Sequence, residues 1–545
     1  MQELYKYLGG FGRYQLYLFL MGCLGNFLLG CQEFAFTWTG YLPEVRCRID
    51  HLDGQNDSYF GKVFDTNSLN SLYPKPTDQG QYCHYCPPVD HQQTICLQNQ
   101  SIPCQSGHIY NKQTPVPNSL VILLDLACEN IWKRQLIFSL PNVGFFLSLT
   151  ILSPLSDRYG RKPLFSVCSI GLIVCCLILP AAENYAAYAI LQLIVGALNS
   201  GVYTTAFILF VEMVDGPARV YGGIICTSGA LPIGLLYLCL MAYAVPNWRY
   251  IQLLAGLPSL FLLFSFWILP ESFRWLIVQG RSTAATKIIH KASETNRVEV
   301  PKEVIQRHIA KTQRNINLES SHHATLADLF RKGRLARNTL VMFYCWFVIS
   351  MAYYGLAQNT QDLPGNAYMT NALSAVVELP AYFAVMPMLT HWGRRPTMAF
   401  LLLSGGLGAV LAGLLKSRAA ILTFALIGKM CISGAFAVSY TYSAEIFPTV
   451  VRQSALGYGS ACARIGSILA PQIRLLGNYV ADWLPIVIYG AGPLFGAALA
   501  LSLPETKNAV LPESIADSLN ISSSNLPVLE EEQLVQDQQK AYGTY

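Results

Sequence analysis

The sequence predicts an all-α polytopic membrane protein, with twelve transmembrane helices in two six-helix bundles and a disulfide-rich domain outside the membrane. Three observations carry that prediction. Charged residues make up only 13% of the 545 residues and mean hydropathy is +0.35, where a soluble protein carries roughly 25% charge. Apolar runs of about 20 residues, the length that crosses a bilayer core of roughly 30 Å, recur along the whole chain. Three short motifs also return at one spacing, so the chain reads as two copies of one unit.

The apolar runs place spans near 14–37, 136–156, 164–181, 186–214, 221–245, 250–269, 339–360, 368–390, 397–415, 419–443, 453–476 and 483–503. Lys and Arg favour the cytoplasmic side of a membrane, which sets the orientation. Lys6 and Arg13 precede the first span, and Arg158, Arg161 and Lys162 follow the second. The connection 271–338 carries 13 Lys or Arg against 6 Asp or Glu, whereas segment 42–131 carries 5 against 9. Residues 1–13, the basic helical linker 271–338 and the tail 504–545 are therefore expected in the cytoplasm, and 42–131 outside. The first span follows basic residues without a small-x-small cleavage site, so a retained helix is expected rather than a signal peptide. The net charge of +5 mostly reflects the inside loops and gives no reason to invoke nucleic acid. Residues 281–332 read as short amphipathic helices, and 511–545, with "EEEQ" at 530–533, as a disordered tail.

Six of the sixteen cysteines fall in the outside segment: Cys47, Cys83, Cys86, Cys96, Cys104 and Cys128. An even set in an oxidising compartment predicts three disulfides, with the connectivity open, stapling a domain too short to build a large core. The "CHYC" at 83–86 has a zinc-like spacing, but no second close pair of ligands accompanies it, so disulfide bonding is favoured. Asn56 and Asn99 are glycosylation acceptors on the outside, whereas "NIS" at Asn520 lies in the cytoplasmic tail. The other ten cysteines sit in spans, where they read as small apolar filler.

The repeat organises everything else. "SDRYGRKP" (156–163) follows span two and "THWGRRP" (390–396) follows span eight, with Arg161 and Arg394 separated by 233 residues. "VEMVDGPAR" (211–219) ends span four and "AEIFPTVVR" (444–452) ends span ten; Glu212 to Glu445 and Arg219 to Arg452 are again 233 apart. "LPESFRWL" (269–276) and "LPETK" (503–507) close spans six and twelve at a spacing of 234. Paired halves around a central pathway are the logic of secondary transporters.

"DRYGRK", the two E-x6-R pairs and the "PES"/"PET" endings resemble the signature loops of the major facilitator superfamily, which implies that superfamily's fold. The long cysteine-bearing loop, "PEVRC" at 43–47 and "LACENIWK" at 126–133 resemble the organic cation, anion and zwitterion transporter family over about residues 10–515. "GNAYMTNALSAVVELPAY" (365–382) and "ARIGSILAPQI" (463–473) are most similar to its carnitine and organic-cation/zwitterion branch. Three positions depart from the pattern. Ser153 stands where the first superfamily loop usually begins with glycine, and Thr390 stands opposite Asp157. Gln32 replaces the asparagine that the branch associates with sodium coupling, so the coupling ion, sodium or proton, stays open.

Asp157, Arg161, Glu212 and Arg219 lie at inner ends of spans in the first half, and Arg394, Glu445 and Arg452 in the second. Arginines there would set topology in any case. Topology does not ask for carboxylates at fixed spacing, so these are read as gating charges that make and break contacts as the halves move. Deeper in the bilayer, at 1.5 Å per residue, Arg464 is eleven positions into its span and Glu378 and Lys429 about ten into theirs. Charge at that depth costs at least about 2.5–3.5 kcal/mol unless it faces a cavity or a partner. The first half shows no counterpart: Glu33 reads as near the outer end and Glu212 near the inner end. One carboxylate cannot neutralise two cations, which leaves one cation for a ligand carboxylate or counterion. The competing reading pairs Glu378 structurally with Lys429 or Arg464. Arg474, close to a helix end, is expected to snorkel.

Tyr203 and Phe207, Tyr353 and Tyr354 ("AYYG"), and Tyr440 and Tyr442 add aromatic faces. Each could be ordinary packing or a surface for a quaternary ammonium, worth roughly 0.5–2 kcal/mol. The resemblance implies that an arginine at "ARIGS" goes with anion and zwitterion handling. It also implies that Tyr382 in "PAY", where the anion branch has "PAK", favours a zwitterion over a dianion. The chain shows no nucleotide loop, metal set or catalytic triad, so neither enzyme chemistry nor a cofactor is expected. The reading is a plasma-membrane transporter of small organic cations and zwitterions of the carnitine type. An organic-anion exchanger and a non-transporting receptor that kept the fold stand as alternatives.

Overall fold

The computed structural model describes residues 11–49, 81–85, 101–214, 222–298, 300–301, 303–307, 309, 329–330, 333–358, 360, 363, 365–481 and 483–507. The long helices are α1 (Arg13–Thr39), α2 (Ile131–Tyr159), α3 (Arg161–Ile178), α4 (Tyr185–Met213), α5 (Leu231–Ala244) and α6 (Trp248–Gly256) in the first half. In the second half they are α7 (Gly333–Gln358), α8a (Ala367–Val376) with α8b (Glu378–His391), α9 (Arg394–Leu414), α10 (Arg418–Ile446), α11 (Thr449–Tyr479) and α12 (Leu484–Ala500). Among the described residues, ten continuous helical stretches are long and apolar enough to cross a membrane. α11 has the length, at 31 residues, but carries Arg452, Arg464 and Arg474, and α12 is short, at 17 residues.

Prolines set the irregular turns. A proline lacks the N–H for the helical ladder and crowds the carbonyl four residues back. Pro232 follows a π turn over Ile225–Gly229, and Pro258 sits in a 3-10 stretch over Leu257–Phe264. Pro380 crowds the carbonyl of Val376, the last residue of α8a, so the helix breaks and restarts at Glu378. That break falls beside a buried charge, the position where irregular backbone is tolerated in a membrane bundle.

Within the first half α4 packs against α1, α2 and α3; within the second α10 packs against α9 and α7 against α11 and α12. The halves meet through α2 against α11 and α5 against α8a. Ser139 Oγ donates to the Ile468 carbonyl at 2.7 Å, and Gln472 Nε2 donates to Ser139 Oγ at 3.2 Å. Trp38 stacks on Tyr368 with centroids 5.0 Å apart, and the Tyr368 hydroxyl donates to the Pro115 carbonyl at 2.7 Å. All these contacts lie between mid-bundle and the end bearing the disulfides. Between described residues no hydrogen bond or ion pair joins the halves at the opposite end.

The region between α1 and α2 contains two small sheets. β1 (Val45–Cys47) pairs with β2 (Gln81–Tyr82) and β5 (His108–Tyr110), and β3 (His84–Tyr85) pairs with β4 (Ile102–Pro103). Disulfides join Cys47 to Cys104 and Cys83 to Cys128, the second fastening the sheets three residues before α2. Asp125 accepts from His108 Nδ1 at 2.9 Å and from the Tyr110 hydroxyl. The His108 bond holds the Asp125 carboxyl below the usual carboxylate range, while burial pushes the Tyr110 phenol up. Cys86, Cys96, Asn56, Asn99, Arg219, Asn520 and both chain ends fall outside the described residues.

Candidate substrate site

Glu33 is the element that the depth argument mislaid. It is buried on α1 and accepts from Arg464 Nη1 at 3.3 Å, across the interface between the halves. The same Nη1 donates to Asn142 Oδ1 of α2 at 3.2 Å and to the Tyr354 hydroxyl of α7 at 2.9 Å. The Tyr354 hydroxyl in turn donates to Glu33 Oε2. Ser467 Oγ donates to Asn142 Oδ1 at 2.8 Å, fixing that amide from one turn along α11. The guanidinium lies 3.4 Å from the Phe145 ring centroid, and its buried Nε has no hydrogen-bond partner. Removing one member of such a buried pair typically costs about 3–5 kcal/mol.

A second pair stands on α10 and α8b. Lys429 Nζ lies 2.8 Å from Glu378 Oε1 and donates to Ser374 Oγ at 2.7 Å. The Tyr353 hydroxyl donates to the two Glu378 oxygens at 3.2 and 3.1 Å, and Tyr382 to Oε2 at 3.3 Å. Both pairs are therefore held by neighbouring tyrosines of α7, whose rings meet edge-on at 5.4 Å. Beside them Phe34 stacks on Tyr354 at 5.6 Å, and Phe436 links Tyr353 (6.2 Å) to Tyr440 (5.8 Å) and Trp346 (5.8 Å). Tyr203 stands 6.4 Å from Phe145, behind Arg464. A narrow cavity of about 20 Å³, room for little more than one water, lies between Phe34, Trp38, Leu235, Asn371, Ser374 and Lys429.

Two expectations need correcting. Arg464 and Lys429 do not leave one cation over, because Glu33 supplies the second carboxylate from six residues before the end of α1. Arg474 does not snorkel: it is buried and donates to the Gln358 carbonyl at 3.2 Å. Tyr442 serves packing at the far end, donating to the Pro504 carbonyl at 2.7 Å. Gln32 donates to the Ala255 carbonyl at 2.9 Å, within its own half. Sequence reasoning missed Asn142, Phe145, Phe34, Phe436, Trp346 and Ser374. An asparagine within an apolar run was the one available signal for Asn142.

The paired motifs build the same cluster twice. Arg161 meets Asp157 at 3.0 Å and Glu212 at 3.5 Å, and Ser272 donates to Glu212. Arg394 meets Glu445 at 2.7 Å, and Thr506 Oγ1 donates to Glu445 at 2.6 Å. Glu271 accepts from the backbone N–H groups of Arg161 and Lys162 at 2.9 and 3.2 Å; Glu505 does so for Arg394 and Arg395 at 2.9 and 3.0 Å. A carboxylate at a helix N-terminus is where the backbone dipole favours it. Gly160 and Gly393 make the turns, at φ of 110° and 95°. With ψ near 180°, this is backbone that glycine alone adopts readily, and a Cβ at Gly393 would come within 2.8 Å of Glu505. Each of these ion pairs lies within one half. Arg452 donates to the Phe447 carbonyl at 3.2 Å.

Residues 106–515 match the family described as Sugar (and other) transporter. An organic cation transporter protein of Drosophila melanogaster is 33% identical over 538 residues, covering 96% of this chain and 95% of its own. Solute carrier family 22 member 1 of Bos taurus is 30% identical, covering 96% and 94%. The chain belongs to solute carrier family 22 of the major facilitator superfamily. This transporter is also 32% identical to organic anion transporter 3 of Oryctolagus cuniculus, over 82% of each chain. Its fold matches the proton:xylose symporter XylE bound to 6-bromo-6-deoxy-D-glucose, with a TM-score of 0.61 over 92% of this chain and 98% of that one, at 14% identity. The family is one of transporters, not enzymes, and the transporter is a multi-pass membrane protein.

Proposed function

We propose that this transporter moves small organic ions across the plasma membrane by alternating access, with both termini cytoplasmic. In this reading zwitterions of the carnitine type are its preferred substrates and small organic cations come next. The observation that carries the reading is the balance of the buried charges: Glu33 with Arg464, and Glu378 with Lys429. A ligand with net charge leaves one member of a buried pair uncompensated, whereas a zwitterion brings one group for each sign. Its carboxylate is assigned to Arg464, where the unpaired Nε–H offers a second donor beside Nη1. Its ammonium is assigned to the faces of Tyr353, Tyr354 and Phe436, with a released carboxylate as counter-charge. Tyr382, Tyr203 and Tyr440 support those groups from behind.

The test is initial-rate uptake of labelled carnitine in cells expressing the chain, with surface expression matched. Saturable uptake, inhibited by quaternary ammonium zwitterions more strongly than by tetraethylammonium or by aromatic monoanions, is expected. Arg464→Lys, which keeps a positive charge beside Glu33 but loses the guanidinium fork, should sharply reduce uptake while leaving the protein at the surface. Equal inhibition by all three ligand classes would refute the charge-balance argument.

A further inference from the structure

We propose that segment 114–118 of the outer region is a latch on the outer gate. It rides on the first half, seals the closed end with Val116, and holds α8a of the second half through the Pro115 carbonyl. The latch acts on the pathway whichever ligand passes, and makes the outer region a moving part of the gate.

The segment reads Thr114, Pro115, Val116, Pro117, Asn118. A proline fixes its own φ and biases the residue before it toward extended backbone. Pro115 and Pro117 thus stiffen the segment into a strap. Both flanks of the strap are fastened to the first half. On one side the Asn111 N–H donates to the Glu44 carbonyl at 2.9 Å, five residues past the end of α1. On the other the Trp248 N–H of α6 donates to the Asn118 carbonyl at 3.1 Å, and Leu120 and Val121 are fully buried in the core of the first half.

Between these anchors the strap meets the second half. The Pro115 carbonyl accepts from the Tyr368 hydroxyl of α8a at 2.7 Å. Val116 is fully buried in the apolar cluster that holds Trp38, Leu238 and Ala242, and Tyr368 packs against the same cluster. Cys239 Sγ of α5 also donates to the Tyr368 carbonyl, at 3.3 Å. Trp38 and Leu238 in turn wall the narrow cavity that reaches Lys429, so the sealed cluster separates that cavity from the outer region. The closed arrangement also carries a cost. The hydroxyls of Thr114, at the start of the strap, and Ser119, just past its end, are buried without a hydrogen-bond partner among the described residues. Unmet buried hydroxyls are unfavourable, and a shift of the strap gives them water. Opening the outer end carries α8a and Tyr368 away while the strap stays with the first half.

The experiment uses the full chain carrying Asn371→Cys in the cavity wall. It reads labelling by a membrane-impermeant thiol reagent from the disulfide-bearing side, above the labelling of the chain without that substitution. Val116→Ala, which empties the seal, should raise the labelling rate about three- to tenfold. Pro117→Gly, which loosens the strap and leaves Tyr368 untouched, should raise it as well. Tyr368→Phe removes the bond to Pro115; added to Val116→Ala it should raise the rate little further, since both changes undo one latch. Migration without reductant checks that Cys47–Cys104 and Cys83–Cys128 stay closed in each variant. If Val116→Ala does not reach the surface, Pro117→Gly and its combination with Tyr368→Phe carry the same test. Unchanged labelling in Val116→Ala and Pro117→Gly overturns the latch, and so do rates that multiply in the double variant. Labelling that rises only where the disulfides are lost assigns the strap to folding and overturns it too.

Discussion

At the scale of single residues the molecule turns on one ion pair. Glu33 and Arg464 stabilise each other in a region where either alone would be an unpaired charge. Glu33→Ala should lower stability by about 3–5 kcal/mol, read as a fall in the detergent-solubilised melting temperature. Replacing both by methionine should cost less than the single change, since no charge is then left behind. A double mutant that melts below Glu33→Ala would count against this account. Depth along the helices located Arg464, Glu378 and Lys429 in the sequence. It did not pair Glu33 with Arg464, because a contact between residues 431 apart leaves no local pattern. Phe145 and Trp346 were hidden for a similar reason: an aromatic among apolar neighbours looks the same whether it lines a site or fills a core.

Among elements, the turns at Gly160 and Gly393 are the most constrained. Gly160→Ala and Gly393→Ala should each cost about 1–3 kcal/mol of backbone strain and reduce both surface expression and transport. Glycine at these turns follows from the "YGRK" and "WGRR" motifs. Their partners Glu271 and Glu505 were visible only as motif endings, since capping a distant helix is a tertiary event. The strand pairing outside the membrane was not legible at all, because each strand has only two or three residues. That region carries its own pH dependence. The Asp125 carboxyl sits below its unfolded value, so its contribution is full above the unfolded carboxylate pKa of roughly 3.9 and is lost as pH falls through the lower folded value. Protease resistance of the outer region should therefore fall in strong acid, and Asp125→Asn should flatten that profile. A non-glycine residue at φ of 48°, where Asp125 sits, tolerates asparagine well.

For the whole molecule, the repeat foretold two halves but not which ends they share. Contacts between halves depend on the state of the molecule, and the sequence encodes every state at once. Here Trp38, Tyr243 and Tyr368 close the disulfide-bearing end, with ring centroids 5.0 Å apart for Trp38–Tyr368 and 5.4 Å for Tyr243–Tyr368. Tyr368→Ala should loosen that closure, raising the labelling of an Asn371→Cys variant by a membrane-impermeant thiol reagent from that side. Tyr368→Phe, which keeps the stack and loses only the bond to Pro115, should fall between. Unchanged labelling in both would place the closure elsewhere.

The pairing of Glu33 with Arg464 also has a consequence in time. The two are 431 residues apart, and ribosomes extend a chain at roughly 5–20 residues per second. The carboxylate of α1 thus enters the membrane roughly 20–90 s before its arginine is made. Nascent chains arrested before α11 must hold that helix by other means, through a proton, a chaperone or delayed lateral release. The first helix written is among the last to find its place.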